Sequence, residues 1–521
     1  MSEALVPLLV AVPLAGALLA VGGGLLDDRL PEAVAWVVLA GQVALAGWLG
    51  SRVLVTDVDR LSVAVGGFAA PYGIELVVDG LSAVVVVLVA VVSLAVLAYA
   101  RTDAPGGAPF YAEYLLLVAG LSGMTVTGDV FNLYVFLEIA GLATYALVAS
   151  AGTGRAAVSA LKYLLFGTVA ASLYLLGVGY ALVATGTLNM ADLSTELAAV
   201  GYDSPLVLAS FGFVVAGLAT KTALFPLHTW QPDAYRDAPD SVTALISALV
   251  STVAAYALLR LVYTVYTPAF LAANPLARDV LIAFAATSVL VGSALAVVQS
   301  EVKRMLAYSS VSQFGLVVTG VAIGTPAALF GAIVHLVGHA VMKGGLFVTA
   351  GAVDDAAGAR TVAEYAGLAD RFPVLGGAGS VLMLAMVGVP PAVGFAGKWY
   401  IALGAVRAGT WPVAVVVFAS TLLTLAYFAR LIERMYVADP SPAVGAVSDG
   451  GTDAPGDVRG DPDRETGGDA DGGVDLDEPP RPPTGALVLI VGAAVAAVAL
   501  GLVVTDLGTV LEPTLDTLLP P

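Results

Sequence analysis

The chain has 521 residues, of which 59% are hydrophobic and only 12% are charged, whereas a soluble domain carries about 25% charged residues. This composition excludes an ordinary soluble enzyme and indicates a membrane protein with many spans. The net charge is −18, and the absence of cysteine excludes disulfides, thiolate zinc sites and cysteine-ligated iron–sulfur clusters in this chain.

Apolar runs that could cross a bilayer, each about 20 residues long, predict an all-α polytopic protein of about fourteen transmembrane helices. The first run lacks a charged n-region and a small-residue cleavage site, so we interpret it as a retained span and not as a signal peptide. Proline interrupts the seventh run at Pro226 and the twelfth at Pro390 and Pro391. The runs are 4–25, 32–50, 81–100, 112–127, 130–149, 161–184, 205–225, 242–265, 280–298, 305–323, 327–352, 374–405, 413–436 and 484–504.

Lysine and arginine in the short connections are distributed unequally between the two sides of the membrane. If the N-terminus is outside, ten of them are cytoplasmic and five are external. Cytoplasmic loops carry an excess of basic residues, so this asymmetry predicts a multi-pass protein of the cell membrane with both termini external.

The segment 438–483 differs in composition from the rest of the chain. It is rich in Gly, Pro and Asp, and its twelve acids against three arginines account for −9 of the net charge. We expect a disordered cytoplasmic loop, either a solvated linker or a segment that attracts cations or docks a partner. The acidic surface and the five lysines against seventeen arginines are typical of a salt-loving host.

Glu138 and Lys221 are charged residues within apolar runs. A charge at the bilayer centre costs about 2.5–3.5 kcal/mol on insertion scales, so such residues usually face a partner or a water-filled path. Lys221 also precedes a helix break, where transporters build ion sites. We interpret the two residues as a buried ion pair that handles protons. The alternatives are a structural helix–helix hydrogen bond for Glu138 and a snorkelling Lys221.

Four more ionisable residues lie in later spans. Lys398 follows the proline break of the twelfth run, as Lys221 precedes that of the seventh, and two such interrupted helices indicate inverted repeats that pair spans four to eight with nine to thirteen. His335, His339 and Lys343 recur every fourth residue on one helix face and predict a proton relay. Hydrogen bonding between helices is the alternative, and the lack of a nearby acid in the span disfavours zinc.

Weaker candidates flank these positions. His228, Asp233 and Asp240 follow the break after Lys221 and either line an entrance or cap helix ends. Glu433, near Arg430, is either an exit group or part of a local ion pair.

Several motifs in fixed order resemble the family shared by the antiporter-like subunits of respiratory complex I and the Mrp-type multisubunit Na⁺/H⁺ antiporters. The form of the first motif and residues 397–400 (GKWY) are most similar to the Mrp D branch. The motifs are 129–138 (DVFNLYVFLE), 221–235 (KTALFPLHTWQPDAY), 238–248 (APDSVTALISA), 302–313 (VKRMLAYSSVSQ) and 335–343 (HLVGHAVMK).

The resemblance implies two inverted five-helix bundles with half-channels, no redox cofactor in this subunit, and function within a hetero-oligomeric membrane complex that moves H⁺ and Na⁺. Glu138 and Lys221 would be the ion pair of the first half, and Lys398 the terminal lysine of the second half. His335, His339 and Lys343 would connect them. Many relatives carry a further lysine where this chain has Thr252, a hydroxyl that orders water but holds no charge. Either the relay between Lys221 and Lys343 then rests on water and hydroxyls, or the path differs from the usual one of the family.

These observations predict a secondary transporter subunit and not an enzyme. The alternatives are a proton-pumping subunit of a complex I-like or hydrogenase-like machine, and a scaffold whose buried charges only join helices. The predicted domains are helices 1–3 (1–110), the first repeat (111–266), the second repeat (267–437), the acidic loop (438–483) and the last helix with its tail (484–521).

Overall fold

A computed structural model describes residues 2–56, 58–103, 105–439 and 482–519. The predicted acidic loop, apart from its ends, therefore lies outside the described residues. The described chain is a bundle of long helices, in which two helical spans are interrupted. This arrangement confirms the all-α membrane fold predicted from composition.

The N-terminal region contains three helices and a short hairpin. The hairpin strands pair antiparallel, with Arg60 opposite Asp79. The elements are a 3₁₀ turn (Glu3–Leu5), α1 (Leu8–Gly24), α2 (Leu30–Leu54), β1 (Arg60–Ala64), a 3₁₀ turn (Val65–Gly67), β2 (Glu75–Asp79) and α3 (Gly80–Asp103).

The next region runs from the fourth span to the eighth. Its last span is one continuous apolar rod from Asp240 to Ala273 that contains two π-helical segments, Ile246–Val250 and Val262–Tyr266. The helices are α4 (Gly107–Val126), α5 (Val130–Ala149), α6 (Gly154–Thr185), α7 (Met190–Val200), α8 (Pro205–Lys221), α9 (Gln231–Asp237), α10 (Asp240–Leu245), α11 (Ser251–Leu261) and α12 (Thr267–Ala273).

The remaining helices form the second half and the C-terminal region. They are α13 (Pro275–Val297), α14 (Val302–Ile323), α15 (Pro326–Ala357), a 3₁₀ turn (Ala363–Tyr365), α16 (Leu368–Arg371), α17 (Pro373–Val387), α18 (Val393–Arg407), α19 (Trp411–Tyr436), α20 (Thr484–Leu502) and α21 (Val504–Leu518).

Within the described residues, twelve helices are long and apolar enough to cross a membrane. The predicted seventh and twelfth spans are the two interrupted ones. The seventh is α8 followed by the non-helical residues 222–230 and α9, and the twelfth is α17 followed by residues 388–392 and α18. Both breaks contain the prolines that the sequence indicated. The helices are interrupted there because proline lacks the N–H that continues a helix.

The sequence prediction missed the hairpin and two surface helices. The hairpin is short, and its strands alternate too little to stand out beside long apolar helices. Helices α7 and α21 are too short to span a membrane, and α21 buries Leu511 and Leu518 while its acids are exposed. An amphipathic helix of this kind lies along the surface of a membrane protein.

Glycines set the close packing of each broken span against a long neighbouring helix. A Cβ on Gly217 of α8 would lie 2.6 Å from the carbonyl oxygen of Ala170 in α6. A Cβ on Gly331 of α15 would lie 2.6 Å from the backbone nitrogen of Ile401 in α18. Small residues allow such backbone approach in membranes. The two crossings join spans six and seven and spans eleven and twelve, which correspond under the predicted repeat.

The loops gather on two opposite faces of the bundle. One face, here called the hairpin face, carries β1, β2, the start of α7, the end of α11 and α21 around one cavity. The opposite face contains a second cavity, and the residues that line it include Arg155, Arg236, Lys303 and Arg360. The positive-inside tendency predicts that the second face is cytoplasmic, and this sidedness stays a prediction.

Helix α20 packs tightly on the break of the twelfth span at Gly501. A Cβ there would overlap the carbonyl oxygen of Pro391, whereas a Cβ on Gly492 of the same helix meets nothing within 4 Å. We expect Gly501→Ala to destabilise the complex by about 1–3 kcal/mol through overpacking, and Gly492→Ala to leave it unchanged. Thermal unfolding of the detergent-solubilised complex measures this, and equal melting temperatures would contradict the packing.

Candidate functional site

The structure brings Glu138 and Lys221 together. Glu138 lies in the middle of α5, and Lys221 is the last residue of α8. Lys221 Nζ is 3.7 Å from Glu138 Oε1, and the side chains are 7% and 26% exposed. The predicted ion pair therefore exists, with the amine buried and the carboxylate open to one side.

Tyr145 is a third member of this site that sequence reasoning missed. Lys221 Nζ donates a hydrogen bond of 3.0 Å to the Tyr145 hydroxyl. Glycines make room for the group, since a Cβ on Gly167 would overlap that hydroxyl and one on Gly141 would lie 3.2 Å from Lys221 Nζ. Tyr145 follows Glu138 by seven residues, or two helical turns, so its position on the same face was readable from the sequence.

The break after Lys221 is held by side chains. Trp230 donates from Nε1 to the carbonyl oxygen of Thr220 at 3.1 Å, and its ring stacks on Tyr163 at 3.9 Å between centroids. Ser251 Oγ lies 3.5 Å from the carbonyl oxygen of Lys221. Carbonyls released at the end of α8 are thus bonded inside the protein, which membrane depth requires.

A polar cluster continues from the break toward the second half. Tyr235 lies beside Ser251, and its ring packs edge-on against Phe347 at 5.5 Å. Lys343 Nζ lies 5.9 Å from the same Phe347 ring. Thr252 is fully buried two residues after a π-helical segment, a feature often found at functional sites, and its hydroxyl has no hydrogen-bond partner among the described residues.

Lys343 and the two histidines are fully buried on α15. Lys343 donates to the carbonyl oxygen of Leu306 at 2.6 Å and to the Ser309 hydroxyl. In the described part of the chain, no carboxylate lies within ion-pairing distance of Lys343. Its ammonium is therefore stabilised by oxygens of α14 and by the Phe347 ring, without a carboxylate that would hold the proton, and this arrangement lets the amine exchange a proton.

Along α15, His339 and His335 lie between Lys343 and the contact of this helix with α18. His335 donates through Nε2 to Gln313 Oε1 at 2.9 Å, a partner on α14 that the sequence prediction missed. His339 packs against the Phe314 ring at 4.4 Å, and neither of its ring nitrogens has a hydrogen-bond partner in the described residues. A histidine free at both nitrogens is available to accept and donate protons.

Lys398 is placed differently from Lys221, although both adjoin proline breaks. Its amine donates to the carbonyl oxygens of Met386 and Val387 at 3.0 and 2.9 Å. These are the last carbonyls of α17, where the helix dipole favours a cation. Gly397 lies against His335, because a Cβ there would be 2.7 Å from His335 Nδ1. Lys398 thus joins the second break to the histidine row.

The weaker candidates lie at the edge of this path. His228 is buried between the Phe225 and Tyr308 rings, and its Nδ1 has no partner among the described atoms. Asp233 bridges Lys162 and Arg304, each at 2.7 Å, so it joins α6, α9 and α14. Asp240 pairs with Lys303.

Glu433 is exposed on α19. Arg430 donates to the carbonyl oxygen of Gln299 at 2.7 Å, and the ion pairs of the described chain do not include Glu433. The local ion pair considered from the sequence is therefore not formed, and Glu433 lies at the surface near the second face.

Unpartnered polar atoms follow the same route through the bundle. Buried polar groups are normally hydrogen-bonded, and those that lack protein partners bond to water. In the described residues, six of these atoms lie between the Lys221 site and the Lys398 site, while others, such as Gln42 Oε1 and Asn189 Nδ2, lie elsewhere in the bundle. The six are Gln231 Oε1, Thr252 Oγ1, Gln313 Nε2, His335 Nδ1, His339 Nδ1 and His339 Nε2.

Comparison with known proteins places this chain among membrane ion-transport subunits. A family model described as NADH:quinone oxidoreductase/Mrp antiporter, TM, matches residues 127–424. That segment contains every buried charge described above, from Glu138 to Lys398. Glu433, the hairpin and α21 lie outside it.

Two relatives and one solved structure illustrate the similarity. NADH-quinone oxidoreductase subunit N of Desulforudis audaxviator (strain MP104C) is 48% identical over 390 residues, 73% of this chain and 77% of that protein. The D-type subunit of the Na⁺/H⁺ antiporter of Bacillus subtilis (strain 168) is 33% identical over 387 residues, 74% of this chain and 77% of that protein. A chain in the Mrp complex of Dietzia sp. DQ12-45-1b superposes with a TM-score of 0.86 at 26% identity, and the match covers 100% of this chain and 98% of that one.

The Tyr145 hydroxyl gives a test of the site. We expect Tyr145→Phe to lower ion transport by roughly tenfold, because a hydrogen bond to a charged group contributes about 1.5–3 kcal/mol. Tyr163→Phe is the matched control, since its ring lies 4.8 Å from that of Tyr145 but its hydroxyl does not bond Lys221. Transport in proteoliposomes measures both, and equal rates would exclude a role for the phenol.

Proposed function

Because the chain belongs to the NADH:quinone oxidoreductase/Mrp antiporter transmembrane family, we propose that this antiporter-like membrane subunit translocates protons within a multisubunit Na⁺/H⁺ antiporter of the cell membrane. The observation that carries the proposal is the Lys221 amine. It is buried at a helix break and shared between the Glu138 carboxylate and the Tyr145 hydroxyl.

The pair can switch because its two charges depend on each other. At 3.7 Å, the attraction is on the order of 4 kcal/mol at an effective dielectric of about 20, before desolvation is subtracted. A proton that binds Glu138 removes this attraction and leaves a desolvated ammonium. Lys221 then favours release of its proton to the polar cluster, with the Tyr145 oxygen as a hydrogen-bond acceptor that holds the amine in place.

The relay continues through groups that can each hold or pass one proton. Ser251, Gln231 and the Thr252 hydroxyl order water near the first lysine, so the proton passes there through water and not through the further lysine that many relatives carry. Lys343 accepts a proton beside Ser309, His339 and His335 pass it along α15, and Lys398 holds it at the end of α17. The wide spacing of these groups requires water between them, which the unpartnered atoms accommodate.

The exchange of Na⁺ for H⁺ belongs to the assembled complex. The relatives named above are subunits of larger assemblies, so we expect this chain to act with other integral membrane subunits. In that complex, a proton gradient drives H⁺ inward as Na⁺ leaves. The chain itself supplies the proton path.

A redox-driven proton pump is the second candidate. The 48% identity to a subunit N of an NADH-quinone oxidoreductase favours it. The same Glu138–Lys221 switch would then be driven by electron transfer in other chains and not by the proton gradient. The two functions differ in the coupling partner, and the buried path is common to both.

The ion pair is tested by substitution. We expect Glu138→Gln and Lys221→Ala to abolish Na⁺-dependent proton exchange in vesicles while the complex stays assembled. The half-buried Glu113 on α4 is the control, and Glu113→Gln should retain most activity. Exchange near the wild-type rate in either pair variant, with assembly checked on a native gel, would refute the proton-path role.

The coupling partner is tested by composition and transport. We expect the purified complex to lack flavin, iron–sulfur and quinone-reducing activity, and to exchange Na⁺ for H⁺ in proteoliposomes. Optical spectra and quinone reduction measure the first property, and a pH-sensitive dye measures the second. Detection of redox centres together with Na⁺-independent pumping would assign the chain to the second candidate.

A further inference from the structure

The hairpin face contains a cavity of about 460 Å³ above the first half of the bundle. Its walls are the end of α2, the hairpin, the end of α11 and one side of α21. Helix α21 packs closely against the start of α3, because a Cβ on Gly80 would overlap the Thr514 hydroxyl oxygen. The cavity, here called the outer vestibule, leads inward toward α11.

A buried ion pair forms the floor of the outer vestibule. Arg260 of α11 donates to Asp79 at 2.5 Å, and their side chains are 7% and 28% exposed. Asp79 also accepts from the backbone N–H of Ser82 at 3.0 Å. Burial alone raises the pKa of the Asp79 carboxyl, but the charge of Arg260 and the hydrogen bonds outweigh it and keep the pKa below its usual value. Both groups therefore stay charged.

Polar residues connect this floor to the proposed proton path. Thr252, Tyr256, Arg260 and Thr264 recur every fourth residue on α11 and the π-helical segment that follows it. Tyr256 donates to the carbonyl oxygen of Thr125 at 2.7 Å, and Thr252 is the unpartnered buried hydroxyl beside Ser251. Eight residues of helix separate Thr252 from Arg260, which is about 12 Å. One short stretch thus lies between the vestibule and the centre of the first half.

We propose that Arg260 is an electrostatic seal that closes the first-half proton path against the hairpin face. The inference rests on the proposed proton path through Glu138 and Lys221. A guanidinium stays charged at any physiological pH, and a fixed positive charge in a constriction repels cations and protons. Asp79, on the vestibule side of the pair, holds the guanidinium in place.

A seal at this point meets a requirement of the transport cycle. A first half open to both faces would let protons run down their gradient without work. Glu138 and Lys221 lie within the spans, so a path that reaches them from one face must be closed toward the other. Arg60, the other arginine of the vestibule, does not serve this purpose, since it is 54% exposed and pairs with Glu75 at the surface.

Proton leak tests the seal in the complete complex reconstituted into liposomes. With an imposed pH gradient and no sodium gradient, we expect Arg260→Gln to collapse the gradient about tenfold faster than the wild type, because a single charge near the path dominates the barrier. Arg260→Lys keeps the charge and should stay tight. Arg60→Gln is the matched control at the same vestibule and should also stay tight.

A double variant shows which path leaks. If Arg260 seals the first half, adding Glu138→Gln to Arg260→Gln should abolish the leak. A tight Arg260→Gln complex overturns the seal, and so does a leak that persists in the double variant. Loss of exchange in Glu138→Gln alone reports on the proposed function separately, so the two proposals can fail independently.

The natural absence of cysteine provides a second measurement if Arg260→Gln fails to assemble. Single cysteines at Thr264 and Thr252, with Arg260 intact, are exposed to a membrane-impermeant cationic thiol reagent on the hairpin face. We expect the cysteine at position 264 to be labelled and the one at 252 to be protected, as read on the separated chain. Comparable labelling at both positions would show an open path and refute the seal.

Discussion

Buried amines inside the apolar bundle are the constraint on which the rest of this structure depends. A lysine in an apolar bundle must find oxygen atoms, and each of the three buried lysines finds a different set. Lys221 has a carboxylate and a phenol, Lys343 has a carbonyl and a hydroxyl, and Lys398 has the terminal carbonyls of α17. Of these oxygens, only the carbonyls that bond Lys398 come from a helix break, and the glycines at 141, 167 and 397 let the surrounding helices pack closely around these sites.

These different surroundings suggest different tasks. Only Lys221 has a partner whose own protonation changes the local charge, so it is the lysine that can be switched by a neighbour. Lys398 is bonded to fixed dipoles, which stabilise a cation without a partner that titrates. Lys343 lies between them with the two histidines on the same helix face. The three lysines therefore differ along the proposed path, from Lys221 with a titratable partner at one end to Lys398 with fixed carbonyl partners at the other.

Thr252, which stands where the family resemblance led us to expect a lysine, fits this picture and links it to the outer vestibule. A hydroxyl at the centre of the eighth span leaves the first half with fewer positive charges along its axis. The nearest permanent cation toward the hairpin face is then Arg260, two turns of α11 away. A path with less charge inside depends more on a barrier at its end, and the Asp79–Arg260 pair provides one.

The sequence alone determined the class of fold, the broken spans and the charged residues within the spans. Polar groups are costly in a bilayer, so a charge or a proline inside an apolar run stands out in the sequence. Glu138, Lys221, His335, His339, Lys343 and Lys398 were all found in this way. The pairing of Glu138 with Lys221 was also predicted, but only the tertiary structure decided the other partners. Tyr145, Gln313 and Ser309 are ordinary residues in the sequence, and Lys398 matched Lys221 in pattern but not in environment. The sequence pattern counted Arg260 among the five external basic residues of the short connections, whereas in the structure it is buried against Asp79 of the hairpin. Such pairings join residues as many as 181 positions apart, and local pattern carries no information on contacts across that distance.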